Sequence, residues 1–375
     1  MITFRNLSVV AIVTGLLTVA NTRASGDQIP GPQLSLGEKW TTEDSINAQK
    51  VLQLMRKKLV ADTGTDAVMK RDAHPKHHGC VKSYLTIDPA NLPKELRVGL
   101  FEKSGTYQSL IRFSNASPNA KQADSASDPR GFSLKVMNVP YAQYLEQIGL
   151  ESANPVHDFV FMNSPAFFNE TTEDYVDMVN AVSAGGLKLA MFALTHPRAI
   201  AVLGKASLMK VGNPLDLDYH SALPYQLGTT SMRMKFGACK TTKDEVAKKP
   251  HPDFLGIKLA ETLAKEEACF NFYVQVNREP NKNDVEKPMS TWEERKSPYI
   301  LVGRLLLPKQ NDIRSEKRQE FCENISFNPW RSHPANRPLG KMNRVRLQVY
   351  SQQAQFRQQH NNANDPLPRS FSDVP

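Results

Sequence analysis

The sequence predicts an α+β fold built round an antiparallel sheet of about eight strands, closed or nearly so, with helices around it. Three observations carry that expectation. Segments 80–87, 109–115, 131–139, 158–162, 231–239, 269–277 and 299–307 read as strands, and 219–227 offers another. The early ones follow one another with few helical crossovers, which favours antiparallel neighbours. Phe270, Phe272, Val274 and Val276 show a plain apolar period of two, with Asn271, Tyr273 and Gln275 on the other face.

The helices are expected between and after the strands. Segment 42–59 is amphipathic, with Ser45 or a polar neighbour as cap. Segment 172–184 is closed by Gly185-Gly186, 187–210 is interrupted by Pro197, and 252–267 forms a third helical region. With 375 residues, no internal repeat and no linker, 25–361 is expected to be a single domain, and the polar, Pro-containing stretch 362–375 a loose tail.

A net charge of +9 is spread over the chain with no Lys/Arg block longer than two or three residues, so no nucleic-acid partner is expected. Residues 1–24 read as a secretory signal: Arg5, an apolar run from Leu7 to Ala20, then small residues ending at Ala24. That run is too short for a stable span, so the mature chain is expected to be exported, to a periplasm or beyond, with no membrane span. Cys80, Cys239, Cys269 and Cys322 allow three complete disulfide pairings, and no CxxCH is present.

Residues 341–357, KMNRVRLQVYSQQAQFR, lack Gly and Pro and have a helical pattern. At ~100° per residue Arg346, Tyr350 and Arg357 fall within about 40° of one another, joined by Gln353. Val345, Val349 and Phe356 flank the stripe on one side and Leu347 and Ala354 on the other, while Arg344, Gln348, Ser351, Gln352 and Gln355 are assigned to the solvated side. Two buried guanidinium groups require an anionic partner. A cation one turn before Tyr350 favours its phenolate, the form that ligates a metal. Snorkelling arginines on an ordinary amphipathic helix give the same pattern.

Other stretches are suggestive only in combination. His74 lies in a short loop ahead of the first strand, where it can act as a general acid/base or simply sit at the surface. His77 and His78 are expected to be exposed. Arg112 places a basic group mid-strand on the side of Leu110 and Ser114, Ser127 to Phe132 form a turn into a strand, and Asn163 sets one amide among aromatics.

Together these stretches resemble the haem-dependent catalase family. The likeness rests on R-x-x-H-x-K from Arg71 to Lys76, IRFS from Ile111 to Ser114, and AD-x-x-x-DPRGF from Ala123 to Phe132. It continues with NSPAFF from Asn163 to Phe168, VGRLLL from Val302 to Leu307, and KM-x-x-x-RL-x-x-Y with an Arg seven residues on, Lys341 to Arg357. The resemblance implies the catalase-type β-barrel with a C-terminal helix carrying the ligand to haem b (heme b). It implies His74 as the distal histidine, Ser114 as the hydroxyl that orients it, and Asn163 as its amide partner. Tyr350 would be the iron ligand and Arg346 would hold it anionic. Arg71, Arg112 and Arg357 would meet the propionates, Phe168 would be a distal aromatic, and Asp124 would line the substrate channel.

Two substitutions depart from the family pattern. Ala116 stands where a larger apolar channel residue is usual, and Ala73 where a valine is usual. The chain also lacks the length for the long N-terminal arm and extra C-terminal helical region of typical catalases. The resemblance therefore implies a compact catalase-related peroxidase. It would reduce hydrogen peroxide, and small organic hydroperoxides through a wider channel, via an oxidised haem and an electron donor that the sequence does not identify. The alternatives are a hydroperoxide isomerase or lyase of the allene oxide synthase type, which typically has threonine where Ala73 stands, and a non-enzymatic exported haem-binding protein.

Overall fold

The computed structural model describes residues 31–64 and 68–375; the expected signal at 1–24 lies outside them. In chain order the elements are α1 (Thr42–Thr63), β1 (His77–Ile87), β2 (Gly105–Asn115), β3 (Arg130–Met137), α2 (Tyr144–Gln147) and β4 (Val156–Met162). Next come α3 (Thr172–Ala184), α4 (Gly186–Thr195), α5 (Pro197–Ser207), β5 (Tyr219–His220), β6 (Tyr225–Leu227) and β7 (Thr230–Ala238). The chain continues through α6 (Phe254–Lys265), β8 (Ala268–Val276), β9 (Tyr299–Leu307), α7 (Glu316–Asn324) and α8 (Lys341–His360).

The sheet runs β5-β4-β3-β2-β1-β9-β8-β7-β6, and a further pairing of β5 with β7, Tyr219 opposite Phe236, closes it. The ring therefore contains eight antiparallel strands, with β6 lying outside against β7. Side-chain alternation fills the interior: Phe113, Phe132, Phe159, Phe236, Phe270 and Phe272 belong to one buried cluster. Phe132 lies 5.4 Å from Phe113 and 5.2 Å from Phe236, so aromatic rings cross the barrel. A solid interior leaves the outer wall for a site. The same alternation that points Ile111 and Phe113 inward sends Arg112 and Ser114 outward.

Helices cover that outer wall. α1 starts at Thr41, one residue before its first turn, through a capping box with Asp44 rather than at Ser45. It packs on α3 and α8 through Ala48, Val51, Val179, Val345 and Val349. The segment 187–210 forms two helices, because Pro197 occupies the first turn of α5 and ends α4 before it.

Three expectations are corrected. The face of α8 assigned to solvent is covered at Arg344 and Gln348: Arg344 pairs with Glu38 at 2.7 Å, and Glu38 also takes Arg337 at 2.8 Å. Residues 362–375 do not form a loose tail. Asp365 accepts the Ser326 amide at 2.9 Å, Phe371 lies edge-on to Tyr84, and Val374 is buried beside Cys80 and Phe321. His78 is buried with Nε2 2.9 Å from Asn115 Oδ1, and His77 is half-buried. α7 was not expected from the sequence; it is joined to β1 by a Cys80–Cys322 disulfide, and Cys239 pairs with Cys269.

Candidate functional site

A cavity of about 580 Å3 lies between the outer wall of the barrel and α8. β2, β3 and β4 line it with Arg112, Gly131, Ser133, Val160 and Met162, and α8 with Arg346, Val349, Tyr350, Gln353, Ala354 and Arg357. The stripe read from the helical period therefore faces the cavity as a unit. The Arg346 guanidinium stands 4.9 Å over the ring of Phe167, and its Nη1 approaches Asn343 Oδ1 at 3.5 Å. The phenol of Tyr350 lines the cavity. Beside it stands Tyr175 of α3, whose phenol burial pushes up against the opposing pull of Arg346.

One end of the cavity holds three guanidinium groups. Arg71 donates to the carbonyls of Cys322, Glu323 and Ile325, and Arg357 donates to those of Glu323 and Asn324 at 2.7 and 3.2 Å. Arg112 donates to the carbonyl of His74 at 2.9 Å. Burial, followed by repulsion from Arg112 and Arg357, holds Arg71 well below the ordinary guanidinium value. Arg112 is pushed down to about 10, with burial the largest cause. Nε of Arg71 and Nε of Arg112 are buried without a hydrogen-bond partner among the described residues. Such a cluster is stabilised by a bound anion. Asp72, missed in the sequence, also faces the cavity. It accepts from Gln353 Nε2 at 3.2 Å, and burial pushes its carboxyl up.

His74 lies on the loop ahead of β1, beside the arginine end, where its carbonyl accepts from Arg112. Its backbone is in the left-handed region at φ 57°, which swings the ring over β3. Nδ1 lies 3.0 Å from Ser114 Oγ. Gly131 makes room for both, since a Cβ there would fall 2.4 Å from His74 Nδ1 and 2.7 Å from Ser114 Oγ. Burial, then the charges of Arg112, Arg346 and Arg71, push the imidazole down to about 3, so it is neutral near pH 7.

The remaining expected residues divide. Phe168 lines the cavity, stacked on Phe167 at 4.2 Å, and Ala116 lines it too. Asp124 does not line it. Its carboxylate is turned away to Lys76 at 2.8 Å, the Asn115 amide at 2.9 Å and the Leu255 N–H at 3.0 Å. Asp128, four residues on in the same turn, lines the cavity in its place; it accepts from the Ser117 N–H, and burial pushes it up to about 6. Asn163 is also turned away. Its Oδ1 accepts the Arg130 N–H at 2.8 Å, and its amide nitrogen donates to Ala206 O at 3.0 Å and approaches Met209 Sδ at 3.6 Å. Asp128 was within reach of sequence reasoning as part of the DPRGF turn; nothing local marks Tyr175.

No family model matches the chain. Over 272 residues it is 27% identical to a catalase-related peroxidase of Mycolicibacterium paratuberculosis, covering 67% of this chain and 78% of that protein. Among solved structures it superposes on a fungal catalase with a TM-score of 0.63 and 17% identity, covering 82% of this chain and 63% of that one. Catalase A of Saccharomyces cerevisiae gives 0.62 and 17%, covering 78% and 62%. A bacterial catalase gives 0.62 and 18%, covering 85% and 62%. The chain thus spans somewhat under two thirds of the length of these catalases. With the closed eight-stranded barrel of the catalases and a long stretch in common with a catalase-related peroxidase, the chain is catalase-like.

Proposed function

We propose that the chain is a haem-dependent peroxidase of the catalase-related type, acting on hydrogen peroxide and on small organic hydroperoxides. The observation that carries this reading is the placing of Tyr350 and Arg346 on one wall of the cavity and His74 on another, with three arginines at one end. Haem b fits the residues present. The walls are aromatic and aliphatic, and the buried Nε atoms of Arg71 and Arg112 lack partners that two propionates would supply.

Tyr350 would hold the iron, with Arg346 one turn before it on α8, while Arg71, Arg112 and Arg357 would bind the propionates. A haem so held supplies the redox chemistry that cleaves an O–O bond. His74 does the proton work. With Nδ1 committed to Ser114, Nε2 is the nitrogen left to take the proton of a bound peroxide and return it to the departing oxygen. The neutral state of the imidazole suits it to accept first. Asn163, tied to Ala206 O, holds α5 in place over the cavity rather than touching peroxide. The small side chain of Ala116 in the cavity lining supports the inclusion of hydroperoxides larger than hydrogen peroxide in this reading.

Export is part of the same reading, with 1–24 as the signal and 25–361 as the core of the haem domain. All four cysteines are paired, as suits an oxidising compartment. Among the described residues no helix is long and apolar enough to cross a membrane.

The test is His74→Ala in haem-loaded protein, with oxygen release and dye oxidation both followed. Peroxide turnover should fall by about 100-fold or more while haem stays bound. Unchanged turnover would leave a haem carrier rather than an enzyme.

A further inference from the structure

α4 and α5 expose most of their surface. Of the residues of α4 only Phe192 is buried, and of those of α5 only Ala199 and Ala206. Leu187, Met191 and Leu194 share one stripe of α4 and are 80%, 51% and 76% exposed. Leu208, just past α5, is 74% exposed, and Met209 follows it. Large apolar side chains left exposed in this number on two successive helices mark an interaction site.

Charge identifies the partner. From Met178 to Leu215 the chain contains no Asp or Glu, yet it carries Lys188, Arg198, Lys205 and Lys210, all exposed. Exposed leucines among basic side chains with no acidic residue are the composition of a helix that lies in the interface of an acidic bilayer. A second copy of this chain suits the surface poorly. A twofold interface sets a patch against itself, and these four cations would then meet like charges with no acidic residue of the segment between them.

We propose that α4 and α5 dock the protein on an anionic lipid bilayer. Val182, Leu189 and Ile200 are exposed and also line the cavity, so docking turns one mouth of the site toward the lipid. Apolar molecules dissolved in the bilayer then reach the cavity without crossing water. The inference is independent of the peroxidase reading, because its readout needs neither haem nor peroxide.

The experiment is flotation of the full chain with vesicles of phosphatidylcholine alone, or with a minority of phosphatidylglycerol. Binding is expected only to the acidic vesicles, weakening as salt rises. The combined Leu187→Gln, Leu194→Gln and Leu208→Gln variant should abolish it. Lys188→Glu with Lys205→Glu should weaken it by about tenfold or more. An unchanged circular dichroism spectrum and melting curve would show that both variants fold. Three results would overturn the proposal: no binding to acidic vesicles, binding that survives the leucine changes and so resides elsewhere in the chain, or a dimer in sedimentation that those changes dissociate.

Discussion

Ser114 Oγ stands 3.0 Å from Nδ1 of His74, and both atoms take up the space that a Cβ on Gly131 would need. Three segments far apart in sequence therefore set one imidazole. A methyl group on Gly131 has no space, so the Gly131→Ala protein must displace His74 or Ser114. It should lose most of its peroxide turnover while still binding haem, and Ser114→Ala should lose less, because the ring keeps its place. Equal activity in Gly131→Ala and the parent would contradict this arrangement.

The arginine end predicts a graded effect on cofactor affinity. Each of Arg71→Gln, Arg112→Gln and Arg357→Gln removes one charged donor and should weaken haem binding by roughly 10- to 100-fold, as expected for a hydrogen bond to a charged group. Haem titration followed by absorbance measures it. Unaltered affinity in all three variants would place the propionates elsewhere.

Much of this was legible in the sequence because it depends on local periodicity. Alternation placed Arg112 and Ser114 on the face opposite Phe113, and the helical period gathered Arg346, Tyr350, Gln353 and Arg357. What failed depends on distant partners. Arg344 is buried because Glu38 pairs with it from 306 residues away. Asn163 turns outward because Ala206 offers a carbonyl, and Asp124 yields the channel to Asp128 because Lys76 and the first turn of α6 take its carboxylate. The C-terminal stretch has the composition of a tail but finds a donor at Ser326 and an acceptor at Gln108 only once the barrel is folded.

The Cys80–Cys322 bridge ties β1 to the chain whose carbonyls at 322–325 receive Arg71 and Arg357. Its removal as the double Ser variant should cost about 2–5 kcal/mol of stability. It should also weaken haem binding, since those arginines lose a fixed frame. Thermal unfolding and haem titration on one preparation test both, and an unchanged unfolding midpoint would contradict the account.

Buried histidines set a pH dependence in the haem-free protein. Burial is the largest cause that pushes His74 and His157 down to about 3 and His78 and His220 to about 4. In the unfolded chain each titrates near ~6.5. Their contribution to stability is complete above that value and is lost as pH falls through it, because the unfolded state gains the protons. Asp128, pushed up to about 6, works in the opposite direction with Asp72, Asp158 and Glu286, which burial also pushes up, while His77 and His333, pushed down by burial, join the four histidines. The unfolding midpoint should therefore fall by a few degrees or more between pH 7 and pH 5, and a rise would contradict the assignment.

The central claim concerns the oxygen of Tyr350. The direct measurement is the visible spectrum of protein reconstituted with haemin, compared between the parent and Tyr350→Phe. The account predicts a high-spin ferric spectrum with phenolate character in the parent and a different spectrum, with weaker binding, in the variant. Identical spectra in the two proteins would contradict it.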